Sequence, residues 1–262
     1  MRLLRTLLGA LALTFVASAA QAIPTITVAP GASPAGGYLP LSLFGTTPIA
    51  GVGNDTLTNV ATSSFSYAGQ SWTSLGISSN GYVVVGGGSG PDNSLNNQNF
   101  PDTARPNNVL APFWTDLDPG AAGAIRFDTL NDGADEWLVV DWAGVPLFGE
   151  ASQLSTFQIW IGLDSDANPG EDIIFAYGTM ATHGDLGFLT VGAEDATGTV
   201  GATYYLNGVG TIPTNGTQLR VSTSGFPIET AAVPEPATLG LLGVGLVALI
   251  GLQRRRRSAA AG

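Results

Sequence analysis

The feature that most constrains this chain is a short-range alternation of apolar and polar residues, broken by clusters of Gly, Asn, Asp and Pro. In "STFQIWIGLD", Phe157, Ile159, Ile161 and Leu163 share one parity, and Gln158, Trp160 and Gly162 the other. Successive side chains of a strand project to opposite faces, so a run of this kind is organised as a strand and not as a helix. "EWLVVDW" likewise sets Trp137, Val139 and Asp141 against Leu138, Val140 and Trp142, and "IIFAYG" groups Ile173, Phe175 and Tyr177. Further strands are expected at 56–60, 63–67, 71–77, 82–85, 109–114, 124–128, 188–193, 202–206 and 218–222. No stretch between the two chain ends shows a 3.6-residue period. Many short strands punctuated by turn residues, with no fixed repeat, predict an all-β class and a single β-sandwich-like domain over residues 23–222.

One segment departs from the pattern. Residues 86–108, "GGGSGPDNSLNNQNFPDTARPNN", offer little to bury apart from Leu95 and Phe100. A loop of this length is functional or disordered. The two apolar residues favour an ordered surface loop pinned by them.

The two ends carry a different message. "MRLLRTLLGALALTFVASAAQA" has Arg2 and Arg5, then an apolar stretch, then Ala20 and Ala22 in an A-x-A arrangement. That is the layout of a secretory signal peptide, residues 1–22, cut after Ala22. At the other end, "VPEPATLGLLGVGLVALIGLQRRRRSAAAG" holds an uncharged run from Ala237 to Leu252 followed by Arg254, Arg255, Arg256 and Arg257. At about 1.5 Å per residue the run spans roughly 24 Å, a little short of a hydrocarbon core of about 30 Å. Snorkelling arginines and local thinning close the gap, and the positive-inside rule puts the arginines in the cytoplasm. A single transmembrane helix over 237–252 is therefore expected, preceded by an extended linker at 223–233.

Val233, Pro234, Glu235 and Pro236, the apolar segment and the arginine cluster, in that order, resemble the PEP-CTERM sorting signal of Gram-negative bacteria (residues 234–262 with Val233 in front). The resemblance implies recognition by exosortase, a membrane transpeptidase-like enzyme, with removal of the tail, in hosts that make exopolysaccharide and biofilm. A Gram-positive sortase signal needs Leu-Pro-x-Thr-Gly, which is absent, and a eukaryotic lipid-anchor signal ends apolar. A permanent single-span anchor predicts the same topology. In either case the body is exported across the cytoplasmic membrane, tethered by its C-terminus, and bound for the cell surface or the extracellular matrix.

Composition narrows what the body can do. The formal net charge is −11, and six of the nine arginines lie in the two ends, leaving only Arg105, Arg126 and Arg220 between them. So acidic a surface repels phosphate backbones and excludes nucleic acid as a partner. Without cysteine there is no disulfide, thiolate nucleophile or thiolate metal site. Without lysine there is no Schiff-base chemistry. His183 is the only histidine and no Gly-x-Ser-x-Gly elbow occurs, so a serine triad or a zinc centre lacks its parts. The body is expected not to be an enzyme. A glycan hydrolase built on two carboxylates, drawn from acids such as Asp116, Asp118, Asp141 and Glu150, remains an alternative.

"LGISSNGYVVVG", "NVLAPFWTDLDPG", "DEWLVVDWAGVP" and "STFQIWIG" follow the order seen in nidogen-like extracellular β domains, which the stretch 65–206 resembles. Its most specific piece is Ala111-Pro112-Phe113-Trp114 followed by Asp116 and Asp118. The resemblance implies a β fold and an adhesive or accessory binding module, with no particular ligand.

Two ligand classes follow. "DSDANPGED" spaces Asp164, Asp166, Asn168 and Asp172 as oxygen donors around a turn, which suits Ca²⁺ without matching an EF-hand; hairpin-turn chemistry explains the same residues. "DTLNDGADE" is similar, with Asp128, Asn131, Asp132, Asp135 and Glu136. No cofactor other than this calcium is expected. Of the five tryptophans, Trp142 or Trp160 on an outer face would stack on a sugar ring, unless a covering layer buries it. The expected role is structural or adhesive and linked to exopolysaccharide; the alternative is a calcium-dependent carbohydrate-binding module.

Overall fold

The computed structural model describes residues 24–165 and 172–223. The signal peptide, the transmembrane segment with its flanking motifs, nearly all of the linker, and Asp166 and Asn168 lie outside the described residues. Among the described residues no helix is long and apolar enough to cross a membrane.

The described residues form thirteen strands: β1 (Thr25–Val28), β2 (Leu57–Tyr67), β3 (Gln70–Ser78), β4 (Val83–Val85), β5 (Val109–Trp114), β6 (Ala124–Asn131), β7 (Glu136–Leu147), β8 (Glu150–Gly162), β9 (Ile173–Tyr177), β10 (Thr190–Glu194), β11 (Gly201–Leu206), β12 (Val209–Gly210) and β13 (Gln218–Ser222). Helical structure among the described residues is limited to 3-10 turns at Leu41–Phe44, Gly90–Asp92 and Asp185–Gly187. The strands form two antiparallel sheets, ordered β1-β13-β9-β8-β7-β6 and β12-β11-β10-β5-β4-β3-β2. Each sheet contains a meander, β6 to β9 in the first and β2 to β5 in the second, with residues 86–108 as the long link between β4 and β5.

The inner faces close on one apolar core. Phe65, Leu75 and Phe113 of the second sheet pack with Leu138, Trp142, Phe157, Ile159 and Phe175 of the first. Trp142 stacks on Phe157 at 5.0 Å between ring centroids, and its indole N–H donates to the Ser78 carbonyl oxygen (3.1 Å). The parity read from "STFQIWIGLD", "EWLVVDW" and "IIFAYG" is the parity observed: Phe157, Ile159, Ile161, Leu163, Trp142, Ile173, Phe175 and Tyr177 face the core. Trp142 is therefore an inner-face residue, and the expectation that it faces outward is corrected.

The outer faces are also apolar, because each is covered. Residues 29–46 lie across the first sheet and seat Leu41 among Trp137, Val139, Trp160, Ile174 and Ala176. Residues 86–108 lie across the second, where Phe100 joins Tyr82, Val84, Val109, Ala111 and Trp114. Phe100 fits because β10 and β11 offer glycine there. A Cβ at Gly192 would come within 2.5 Å of the Phe100 ring, and one at Gly201 within 3.1 Å of its Cβ. Phe100 pins this loop as expected; Leu95, 40% exposed, does not.

The strands expected at 56–60 and 63–67 are one strand, β2, whose register with β3 shifts between Ala61 and Phe65. That irregularity is a bulge-like break in the ladder and not a turn. The sequence reading did not include β1 or β12. Ile26 and Val28 do alternate with Thr25 and Thr27, but β1 is four residues long and β12 two, too short for the pattern to stand out.

Candidate functional site

The cover over the first sheet is held by a row of polar side chains that crosses five strands. Arg126, Asp141, Gln158, Ala176 and Gln218 are successive cross-strand partners from β6 through β7, β8 and β9 to β13. Gln218 accepts from the Ser33 N–H (2.8 Å) and donates to the Gly36 carbonyl (3.0 Å). Gln158 accepts from the Leu39 N–H (3.0 Å) and donates to the Leu39 carbonyl. Asp141 accepts from the Leu41 N–H (3.1 Å). Buried amides and carboxylates are costly unless paired, and here they supply the bonds a strand-less backbone needs. Burial pushes the Asp141 carboxyl up to about 6, against the opposing pull of the Leu41 N–H, the Tyr38 hydroxyl and Arg126. Arg126 also donates to the Thr46 carbonyl (3.1 Å), closing the row at the far end of the cover.

Next to this row the cover draws back and leaves a cleft of about 510 Å³, within the usual range of small-ligand sites. The adjacent row of the sheet, Asp128, Val139, Trp160, Ile174 and Arg220, and the one after it, Leu130, Trp137 and Gly162, run beneath this region. Leu39, Phe44, Asp128, Asp132, Trp137 and Trp160 are among the residues that line the cleft. The indoles of Trp137 and Trp160 meet edge to face at 6.3 Å. Trp160 is held by an N–H bond to Gln158 (3.1 Å), whereas the buried Trp137 indole nitrogen has no partner among the described residues. Phe44, 55% exposed, stands as the open aromatic wall.

The rim is acidic. Asp128 accepts from the Thr46 hydroxyl and from the Thr129 N–H (2.9 Å). Asp132 accepts from the N–H groups of Ala134 (3.0 Å) and Asp135 (2.9 Å), which cap the β6–β7 turn. The Asp135 and Ala134 N–H groups hold the Asp132 carboxyl below its ordinary range, so it stays anionic into acid. No arginine lines the cleft.

Trp160 thus sits on the outer face, as the alternation predicts, but only 2% exposed beneath residues 29–46. The cover is a segment of irregular chain. It works through Gln158, Asp141 and Gln218, which sequence reasoning missed as a group. Their one signal was polar residues amid apolar strands; their alignment in one row depends on register, which a single sequence does not display.

The calcium candidates divide. Asp164 accepts from the hydroxyls of Ser64 (3.0 Å) and Ser66 (3.1 Å). Asp172 pairs with Arg220; burial pushes its carboxyl up and the arginine opposes that. The second acidic turn uses its oxygens as a turn does, Asn131 accepting from the Gly133 N–H (2.6 Å) and donating to Glu136 (3.1 Å). Among the described residues no three His, Asp or Glu side chains form a metal-binding group.

Of the carboxylates weighed for hydrolysis, Asp141 stands apart, while Asp116 feels the charges of Asp55, Asp118 and Asp185, and Asp185 that of Glu150. Asp141 lies under the cover, and Glu150 approaches His183 at 3.8 Å. Asp116, 9% exposed, is pushed up to about 6 by burial and by the charges of Asp55, Asp185 and Asp118. Asp118 accepts from the Gly120 N–H (2.9 Å) in its own turn. The Ala111–Trp114 strand serves packing: Trp114 lies 4.5 Å from Tyr82, and Tyr177 donates to the Pro112 carbonyl (2.8 Å).

A family model described as NIDO related matches residues 32–234. The chain belongs to the NIDO-related family. The match runs from the cover of the first sheet through every later strand, so the cleft is built entirely of residues within the NIDO-related region. A second model, the PEP-CTERM protein-sorting motif, matches residues 232–257 and marks the chain as an exported protein sorted by exosortase, anchored by its C-terminus before processing. No curated protein and no solved structure matches the chain.

Proposed function

We propose that the NIDO-related body is a non-catalytic binding module, exported and displayed by its sorting tail, with a structural or adhesive role in an exopolysaccharide matrix. The observation that carries this reading is the direct junction of the two matches: the sorting motif begins at residue 232, where the NIDO-related region ends at 234. A tail that delivers its cargo outside the cell, joined to a body with a ligand-sized cleft, suits presentation to material outside the cell.

Intact mass of the protein from membrane, surface and medium fractions, with and without exosortase, tests the reading. The expected species begins near Ile23, ends near Val233, accumulates in the matrix and is lost without exosortase. A species keeping Arg254 to Arg257 in both strains and absent from the matrix would overturn it.

A further inference from the structure

Resting on that reading of the body as a matrix-binding module, we infer that the cleft over Trp137 and Trp160 is its saccharide site, and that it takes an amine-bearing sugar. Three features converge. The floor and wall are apolar and aromatic, with Leu39, Trp137 and Trp160 beneath and the exposed Phe44 ring at the side. Trp137 and Trp160 are only 7% and 2% exposed, so it is the Phe44 ring, 55% exposed, that matches the C–H face of a pyranose ring and a cation beside it. The floor also holds a donor without an acceptor, the Trp137 indole N–H of a side chain 7% exposed, and an indole can only donate. A sugar hydroxyl or ring oxygen is an acceptor of the right kind, reached once the indole edge is uncovered, because the nitrogen itself is buried.

The third feature is charge. Asp128 and Asp132 stand on the rim with no basic side chain lining the cleft, and the body around them carries few cations. An acidic polysaccharide would bring carboxylates against carboxylates, whereas an ammonium group meets its complement. Neutral sugars are tolerated by the apolar floor but gain nothing from the rim.

The test is calorimetry on the protein as recovered from cells, with a glucosamine tetrasaccharide, its N-acetylated counterpart and polygalacturonate as probes. The glucosamine oligomer is expected to bind, to weaken with added salt, and to exceed the N-acetylated form about tenfold; polygalacturonate is expected not to bind. Phe44→Ala and Asp132→Asn should each weaken the glucosamine oligomer about fivefold to tenfold. Phe44 is on the surface, and asparagine keeps the oxygen that caps the β6–β7 turn, so both variants should fold; their melting curves check this. No binding of the glucosamine oligomer, equal binding of the N-acetylated form, or variants that bind like the wild type would each overturn the assignment. Retention in the producer's own matrix, measured in parallel, separates the two levels. Retention without cleft binding removes this site alone, and absence of retention removes the reading on which it rests.

Discussion

Residues 29–46 and residues 86–108 perform the same task on opposite faces of the molecule, each hiding the outer face of a sheet, and they are fastened by polar and aromatic contacts in different proportions. Over the first sheet the strands reach outward: Gln218, Gln158 and Asp141 bond to the backbone of a segment that buries Leu41 as its one large side chain, with Ala32 and Leu39 packed beside it. Over the second, Thr203 and Glu194 likewise accept from the Phe100 and Asp102 N–H groups, but the loop adds Phe100 in its glycine-lined slot and Asp92 paired with Arg105 inside the loop itself. Polar fastening works at fixed points and leaves the neighbouring rows of the sheet free to form a cleft. Aromatic fastening fills volume. The larger concavity therefore belongs to the first sheet, next to the row of polar fasteners.

The sharpest test of this contrast is Phe100→Ala. Removing a buried phenylalanine from a slot that cannot close should cost about 3–5 kcal/mol in a urea titration. Hydrogen exchange should place the loss in residues 86–108 and β10, with residues 29–46 as protected as before. Loss of protection in both covers would mean that they are not independent.

Next in size is Gln158→Leu. Leucine fits the apolar surroundings but leaves the Leu39 N–H and carbonyl and the Trp160 N–H without their partner. The expected cost is about 1–3 kcal/mol, with protease cleavage appearing within residues 29–46. Combined with Phe100→Ala, the two losses should add to within about 0.5 kcal/mol, because the fasteners share no partner. A larger interaction energy would break the comparison.

Rising pH should loosen the covers in different windows. Glu194, fully buried, accepts from the Asp102 N–H (3.0 Å) and so ties the second cover to β10; burial, with the Asp102 and Asp195 charges, pushes its carboxyl from 4.5 to about 8. Asp141, under the first cover, is pushed from 3.8 to about 6. In both cases the folded state keeps a proton that the unfolded state releases, so each contribution to stability falls as pH rises and is smallest above the folded value. Of these two, Glu194 is the one still titrating between pH 7 and 8. Exchange of residues 86–108 should therefore quicken over that interval while residues 29–46 stay flat, and Glu194→Gln should abolish the change. A matching change in residues 29–46 would assign the titration elsewhere.

The inner face of this fold was legible in the sequence, and the outer faces were not. Alternation alone assigned Phe157, Ile159 and Ile161 to the core, because parity is a property of one strand. It also put Trp160 on the other side, but whether that side meets water depends on a segment more than a hundred residues earlier in the chain, and that segment has no periodicity. Phe100 could be singled out because an aromatic residue in a polar loop has few other uses. The slot that receives it is formed by Gly192 and Gly201, whose pairing is a matter of register. The cleft was illegible for the same reason: Phe44, Asp128 and Trp137 meet only once the sheet and its cover are assembled.

The smallest expected effect concerns calcium at the turn between β8 and β9, and it bears on how that end of the first sheet is fastened. Asp164 and Asp172 already have protein partners, Ser64 and Ser66 for one and Arg220 for the other. A cation there must compete with an arginine for one ligand and with two hydroxyls for the other, which lowers its affinity below that of a preorganised oxygen cage. Extracellular calcium modules bind at about 0.1–1 mM, so the proposed site should be weaker still, and about 1 mM calcium should raise the unfolding midpoint by less than about 2 °C. Arg220→Gln frees Asp172 and should enlarge that rise if the acids of the turn are the ligands. A rise of several degrees in the wild type would instead mean that Asp166 and Asn168 complete a site strong enough to displace Arg220. The first sheet would then be fastened at that end by a bound ion in place of the Asp172–Arg220 pair.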